Sequence, residues 1–355
     1  MASIKSQYVF SLLSVLGLLA QWGAMVANGT LLALVVTAWE GHFPGGLPMN
    51  TTWSGLWPID YVLGLLVAFF YPLLNVKDLG TLAPILLLTD LLLSLAVFNF
   101  MSVVQGGRSR NTGPLRYPAA WQLAWEFFGA ATIMPIYLSS YIKTQTSSKV
   151  PLPSDQAGVL PFMAAWAVLS NLPLLAPGVI GASPFIIQLS IVIWFFLPLT
   201  TKFIQDSISA IFTSSRPGKA KNSIVVGYGI VGLASAVFHV AVRIWTYNSS
   251  EMSWTRMYWP EYSAVQPGPN LLLQGATLFC QYGHMSLRIS VVALALYTVG
   301  LDTVAVEPPP NKARAGRLMA LLIAITAVFG PGAGAAWLLY MRETGTETET
   351  SKRVA

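Results

Sequence analysis

Two pairs of ionisable residues are spaced four positions apart within apolar stretches of the chain. His284 and Arg288 occur in "FCQYGHMSLRIS", residues 279–290, and His239 and Arg243 occur in "FHVAVR", residues 238–243. Four residues place two side chains on one face of an α-helix. An ionisable group at the centre of a membrane helix costs about 2.5–3.5 kcal/mol, so such groups usually face the protein interior and have a partner. The pairs predict a polar seam between two late helices, which serves either chemistry or structural ion pairing.

Three carboxylic acids in apolar stretches are candidate partners for these residues. Asp60 begins the second predicted span, Asp90 lies in the third, and Glu126 lies about two turns inside the fourth. A carboxylic acid removed from water favours its neutral form and can act as a general acid. Depth places Asp60 and Glu126 in the same leaflet as the arginines, and Asp90 at or beyond the mid-plane. We therefore expect Asp60 or Glu126 to pair with the arginines and Asp90 to be structural.

The elements that position these residues are transmembrane helices. Of the 355 residues, 54% are hydrophobic and 10% are charged, whereas soluble domains carry about 25% charged residues. Apolar runs of about 20 residues, enough to cross a bilayer, occur at 8–39, 58–75, 81–105, 118–142, 157–175, 183–204, 224–247, 269–300 and 316–341. The second is short and the eighth is long. The sequence predicts an all-α, polytopic transmembrane helix bundle with about 7–9 spans, a single domain over residues 1–341 and a polar, disordered tail over residues 342–355.

Loop charges assign an orientation if all nine runs cross the membrane. With a cytosolic amino terminus, the loops on that side carry eleven Lys and Arg residues, including Lys77, and the opposite loops carry seven, including Arg256. The positive-inside rule makes the first side cytosolic. Sequons at Asn50 and Asn248 fall on the other side. We expect a multi-pass glycoprotein of the endoplasmic reticulum membrane, and no nucleic-acid partner because the net charge of +6 comes from these loops.

Sequence motifs for metal and nucleotide chemistry are missing. There is no Asp-Asp-x-x-Asp, Asn-Asp-x-x-Asp or Asp-x-Asp-Asp cluster to hold Mg²⁺ on a diphosphate, and no Walker loop, His-Glu-x-x-His or Gly-x-Ser-x-Gly motif. We expect no metal and no cofactor. Nine of the twelve tryptophans, among them Trp57, Trp121 and Trp125, lie near one membrane face. They form an interfacial belt, or their ring faces stabilise a cationic intermediate.

The stretch "WPIDYVLGLLVAFFYPLLN", residues 57–75, resembles the fungal integral-membrane terpene cyclases of the ascofuranone and indole-diterpene pathways. The resemblance continues in "GGRSRNTGPLR", in "WQLAWEFFGAATIMPIYL" and, more weakly, in "FIIQLSIVIWFFLP", and it covers most of residues 57–205. It implies a metal-independent cyclase of secondary metabolism that protonates a prenylated or epoxidised terpenoid or meroterpenoid substrate and cyclises it through carbocations. Asp60 matches the Pro-x-Asp position, and Glu126 is the second candidate acid. His239, Arg243, His284 and Arg288 would support these acids.

Two other functions remain open. The chain could be a non-catalytic scaffold for other membrane-bound pathway enzymes, in which case its acids line no cavity. It could also be a transporter, which would have related halves or broken helices around a site at mid-membrane. A cyclase instead needs a closed apolar pocket with a few converging polar groups and a lipophilic, prenylated small molecule that it takes from the lipid bilayer.

Overall fold

The computed structural model describes residues 2–108, 113–145, 154–211, 220–250, 252–304 and 312–345. These ranges are mainly helical and hold no β-strand beyond one isolated bridge between His42 and Pro48. A π-helical turn, Leu19–Gly23, follows the first helix. The α-helices are α1 Ala2–Leu18, α2 Ala24–Ala27, α3 Thr30–Glu40, α4 Trp57–Leu74, α5 Val76–Leu79, α6 Ala83–Arg108, α7 Pro118–Phe128, α8 Ala130–Gln145, α9 Ser154–Ala157, α10 Leu160–Leu169, α11 Leu172–Val179, α12 Pro184–Ile211, α13 Ala220–Asn248, α14 Trp254–Tyr258, α15 Leu271–Val304 and α16 Lys312–Gly345. The predicted all-α bundle is confirmed.

Seven stretches of the described residues are long and apolar enough to cross a membrane. They are Gln7–Ala27, Trp57–Leu74, Ala83–Arg108, Leu160–Val179, Pro184–Ile211, Asn222–Asn248 and Ala315–Thr344. α6 is the central helix, because 94% of its most apolar stretch is buried, against 33–56% in the other six. The two remaining predicted runs correspond to α15 and to the pair α7 and α8.

α7 and α8 form a helical hairpin where the sequence predicted the fourth span. Along an uninterrupted helix, residues 121 and 137 would lie about 24 Å apart, yet the rings of Trp121 and Tyr137 are 5.3 Å apart. The chain reverses at Gly129, where φ is +89° and an added Cβ would lie 2.3 Å from Gln21 Oε1 in the π-helical turn. Glycine is the residue that tolerates both the positive φ and the close approach. Both ends of the pair therefore lie at the same end of the bundle.

The hairpin changes the direction of the helices that follow it. His284 contacts Asp90, while Thr277, seven residues before His284, lines a pocket with Pro84, six residues before Asp90. α15 therefore runs parallel to α6, although nine crossings would make them antiparallel. The same pocket includes Arg256, so the loop after α13 and the loop before α6 lie at one end. The prediction that put these loops on opposite sides is wrong because run 118–142 returns instead of crossing. Asp90, predicted to lie at or beyond the mid-plane, is level with His284.

α16 bends sharply at Gly330, which has φ +89° and ψ 166°. A Cβ added to Gly334 would lie 2.1 Å from Thr326 Oγ1. Eight residues separate these two positions, which is about 12 Å along a straight helix. The ninth predicted run therefore consists of two helical segments that meet at a sharp bend. The bend packs against His239, whose Cγ would lie 2.9 Å from a Cβ added to Gly330.

The end of α16 packs against the ends of α6 and α8. Arg108 Nη2 donates to Glu343 Oε2 at 2.5 Å, and Arg342 Nη1 donates to Tyr141 Oη at 2.6 Å. Residues 342–345, the first four of the predicted tail, therefore continue α16 and pair with the neighbouring helix ends. Residues 346–355 of that predicted tail lie outside the described ranges.

Candidate functional site

A buried hydrogen-bonded group, the Asp90 cluster, consists of Asp90, His239, His284 and Tyr258. Asp90 Oδ2 on α6 accepts hydrogen bonds from His239 Nδ1 on α13 at 2.7 Å, from His284 Nε2 on α15 at 2.8 Å and from Tyr258 Oη on α14 at 2.8 Å. Asp90 and His239 have no exposed surface, and His284 has 1%. Three donors on one oxygen stabilise the charge of a carboxylate. The cluster thus joins four helices.

His239 and Arg243 hold one side of the short helix α14. The ring of His239 lies 5.1 Å from that of Trp254, and the guanidinium of Arg243 lies 5.3 Å from the same indole. Arg243 Nη1 also donates to Ala327 O at 3.3 Å. The predicted shared face is present. Its histidine binds Asp90, and its arginine covers an aromatic ring.

His284 and Arg288 hold the other side of α14 in the same way. The ring of His284 lies 4.8 Å from that of Tyr258, and the guanidinium of Arg288 lies 5.7 Å from it. Burial and the neighbouring Asp90 carboxylate raise the pKa of Tyr258, so its hydroxyl keeps the proton that it donates. The four-residue spacing predicted that each histidine shares a helix face with its arginine. It did not predict that both faces contact α14.

Its predicted depth suggested that Asp60 would pair with the arginines. It does not, because its carboxylate accepts hydrogen bonds from the preceding loop. Oδ1 accepts from Trp53 N at 3.1 Å, Ser54 N at 2.6 Å and Ser54 Oγ at 2.8 Å, and Oδ2 accepts from Gly55 N at 3.1 Å. Asp60 lies in the first turn of α4, where an acidic group also interacts favourably with the helix dipole. This arrangement orders the loop before α4.

Glu126 lies in a small pocket between α6, α7, α10 and α12. The residues that line it are Asn99, Val103, Gln122, Glu126, Met163, Trp166, Ala167, Ser170, Trp194, Leu197, Pro198 and Thr201. The cavity measures about 20 Å³, which is room for about one water molecule. Glu126 Oε2 is buried and has no hydrogen-bond partner among the described residues. Glu126 therefore does not pair with an arginine there either.

The tryptophans named from the sequence lie outside this pocket. Trp57 is 65% exposed, and Trp121 and Trp125 pack against a tyrosine inside the α7–α8 hairpin. The indoles that line the pocket are Trp166 and Trp194. No pattern in the sequence pointed to these two, because the face that α10 and α12 turn to Glu126 depends on how the hairpin packs.

Asp90, His239 and His284 also have the residue types of a metal site. One ligand atom from each lies within 4.8 Å of the others, and imidazole nitrogens with a carboxylate oxygen suit zinc or iron. The separations of 2.7 and 2.8 Å between Asp90 Oδ2 and the two nitrogens are hydrogen-bond distances. To bind a metal, both imidazoles would have to release the protons that they share with Asp90.

The predicted glycosylation sites both lie at loops. Asn248 is exposed at the end of α13. Asn50 is half-buried, and its Nδ2, the atom that would carry a glycan, donates to Thr52 O at 2.9 Å. Glycosylation of these residues stays a prediction.

The chain matches the CtvD domain family over residues 5–345 and belongs to that family. Two curated relatives are both named terpene cyclase DEP1. The protein from Fusarium langsethiae is 26% identical over 367 residues, covering 96% of this chain and 98% of the relative. The protein from Alternaria brassicicola is 25% identical over 368 residues, covering 94% and 97%. No solved structure matches the chain. The resemblance to fungal membrane terpene cyclases is confirmed.

Proposed function

We propose that the chain is a membrane-bound terpene cyclase that starts its reaction by protonating the substrate. The names of its relatives and its membership of the family support the reaction class. The observation that supports the mechanism is at Glu126. Its Oε2 is buried beside a pocket, and no donor of the described chain reaches it.

Hydrogen bonding distinguishes the three acids as proton donors. Asp60 accepts four hydrogen bonds from its loop and Asp90 accepts three within its cluster. Donors to a carboxylate favour its ionised form. A buried carboxyl oxygen without donors favours the neutral form, because an unsolvated charge is costly. Glu126 is therefore the acid best suited to carry a proton into the reaction.

The reaction that fits this acid is the opening of an epoxide or the protonation of an alkene. With an epoxide, the proton of Glu126 goes to the oxygen, a C–O bond breaks and its electron pair stays on the new hydroxyl group. The π electrons of a neighbouring alkene then form a C–C bond to the cationic carbon. Loss of a proton from the last cation to the Glu126 carboxylate restores the acid. This series of reaction steps consumes no cofactor and needs no metal.

The walls of the pocket suit a cationic intermediate. The indoles of Trp166 and Trp194 line the pocket, and the face of an indole ring attracts cations. The cavity has room for about one water molecule, which limits premature capture of the cation by water. A prenylated terpenoid or meroterpenoid must separate α7, α10 and α12 to enter. We place the enzyme in the endoplasmic reticulum membrane, beside enzymes that supply this lipophilic substrate.

Product analysis in a heterologous host tests the proposal. The full chain is expressed with farnesylated and epoxidised precursors, and extracts are compared by liquid chromatography and mass spectrometry. Wild type should give a cyclic product with the mass of its precursor. Glu126→Gln should lower its formation about 100-fold or more, the usual contribution of a general acid. Glu261→Gln, the same change at an exposed loop residue, is the control.

Three results would separate the alternatives. Full activity of Glu126→Gln would refute Glu126 as the donor. Loss of product in Asp60→Asn, at unchanged protein level and with Glu126→Gln active, would assign the proton to Asp60. A wild type that converts no precursor, but whose deletion lowers the output of co-expressed pathway enzymes, would support the scaffold function.

A further inference from the structure

Arg288 has a buried guanidinium edge that no described residue contacts by a hydrogen bond. Its Nε and Nη2 are both without a partner there and have no contact with solvent. These two N–H groups point in the same direction and form the fork with which arginine binds a carboxylate or a phosphate through two parallel hydrogen bonds. Two buried donors of a charged group are costly to leave unpaired. The edge therefore fits an acceptor that the described residues do not supply.

The nearby carboxylate does not supply this acceptor. Asp90 Oδ2 already accepts three hydrogen bonds, and no ion pair joins Asp90 to Arg288 within the described ranges. Asp90 Oδ1 is also buried and has no hydrogen-bond partner in the described part of the chain. A single water between Arg288 and Asp90 Oδ1 would satisfy both groups, and it is the simplest alternative to a ligand.

A second arginine and an apolar pocket surround the same short helix. Arg243 covers Trp254, and the ring of Trp254 lies 4.1 Å from that of Tyr258, which Arg288 covers. Arg243 precedes the end of α13 at Asn248 by five residues, about 7.5 Å, so this site is near the end of the bundle.

An apolar pocket also borders α14. It measures about 200 Å³, and its lining residues are Ala83, Pro84, Leu87, Met252, Ser253, Arg256, Met257 and Thr277. Two cations and an apolar cavity thus lie around one helix near a membrane surface. An acidic head group on an apolar tail has the matching chemistry.

We propose that Arg288, with Arg243 beside it, binds the oxyanion of an amphiphilic ligand, a carboxylate or a phosphate on an apolar tail. The fork of Arg288 holds two oxygens of the head group, and Arg243 adds a second positive charge. Two sources offer this chemistry, an acidic head group of the prenylated substrate and the phosphate of an anionic membrane lipid. The first source rests on the proposed cyclisation. The site itself does not, because it makes no use of Glu126.

Binding to the full chain in nanodiscs tests the proposal without turnover. In one arm, the dissociation constant of a farnesylated benzoate is compared with that of its methyl ester in phosphatidylcholine nanodiscs. In the other arm, thermal unfolding is compared between phosphatidylcholine nanodiscs and nanodiscs that also contain phosphatidic acid. The variants are Arg288→Gln, Arg288→Lys, which keeps the charge but not the fork, and Arg116→Gln as control. Arg116 is an exposed arginine that also covers a tyrosine ring.

In wild type and Arg116→Gln, we expect one of the two anions to be preferred. The benzoate should bind about ten- to a hundredfold more tightly than the ester, or phosphatidic acid should raise the unfolding temperature. Arg288→Gln should remove the preference, and Arg288→Lys, which also serves if the glutamine variant does not fold, should keep only part of it. A response to the benzoate identifies the substrate head group, and a response to phosphatidic acid identifies a lipid.

Two results would overturn the proposal. One is a wild type without preference in either arm, as the bridging water would produce. The other is a preference that survives in Arg288→Gln. Because the readout is binding, a chain that cyclises nothing but prefers the anion would contradict the proposed function alone. A chain that cyclises its substrate without any anion preference would contradict this inference alone.

Discussion

Replacement of Asp90 by asparagine tests whether the Asp90 cluster holds α13, α14 and α15 to α6. Asparagine keeps the size of the side chain and one acceptor oxygen but removes the charge. A hydrogen bond to a charged group contributes about 1.5–3 kcal/mol and a neutral one about 0.5–1.5 kcal/mol. Each of the three bonds to Asp90 should therefore weaken by about 1 kcal/mol. The sum, about 3 kcal/mol, is a large part of the roughly 5–15 kcal/mol that stabilises a folded domain.

Cys280 supplies the assay for this change. It is the single cysteine of the chain, it is 2% exposed, and it lies on α15 one turn before His284. A maleimide can reach its thiol only when α15 separates from the bundle, so the labelling rate reports the fraction of open molecules. Since 1.4 kcal/mol corresponds to a factor of ten, Asp90→Asn should raise the labelling rate about 100-fold in the same detergent and at the same temperature.

The matched control is the same substitution at a surface ion pair. Asp206 pairs with Lys202 four residues away on α12, and its side chain is 60% exposed. Such pairs contribute little to stability, so Asp206→Asn should leave the labelling rate almost unchanged. Equal labelling rates in Asp90→Asn and Asp206→Asn would refute the reasoning, because the three buried hydrogen bonds would then not hold α15.

Three further predictions concern the hairpin, the metal and the pocket. Gly129→Ala should destabilise the protein by about 2 kcal/mol or more, because an added Cβ would lie 2.3 Å from a side-chain oxygen of the π-helical turn. Thermal unfolding measures this, and Gly229→Ala, where the added Cβ has open space, should not lower the unfolding temperature. Dialysis against EDTA should leave both unfolding temperature and product yield unchanged, and a loss that zinc restores would show that the Asp90 cluster holds a metal needed by the enzyme. Leucine at Trp166 or Trp194 should divert product toward prematurely hydrated species in mass spectra, and an unchanged product profile would argue against ring stabilisation of the cation.

Hydropathy predicts the helices of this chain but not which of them cross the membrane. The nine apolar runs all fall on helices, because a membrane segment must satisfy its backbone hydrogen bonds internally. α7 and α8 have 11 and 16 residues, and each is too short to cross. Joined in sequence, they have the length of one span. The chain reverses at Gly129. Glycine also occurs within membrane helices where two helices pack closely, so its presence in the sequence does not by itself predict a reversal.

The unpredicted reversal of the chain at Gly129 also explains why the predicted depths did not place Asp90 beside the histidines. A returning pair of helices removes one crossing, so the direction of each later helix is opposite to the predicted one. That change brings Asp90 level with His239 and His284, so both histidines hydrogen-bond to this carboxylate on α6. Asp60 could have been recognised from local sequence alone, because an acid two residues after Pro58 at a helix start is typical of the first turn.

Asp90 and Glu126 show why the identity of a buried acid does not decide its role. Both carboxyl groups lie in the bundle near α6, since Asn99 and Val103 on that helix line the Glu126 pocket. These residues follow Asp90 by nine and thirteen positions, about 14 and 20 Å along the helix. Around Asp90, three donors converge on one oxygen and favour a fixed charge. Around Glu126, Oε2 has no donor from the described residues, which favours a proton that can be given away. Because these donors come from α13, α14 and α15, the packing of late helices, rather than the acids themselves, separates a structural carboxylate from a candidate catalytic acid.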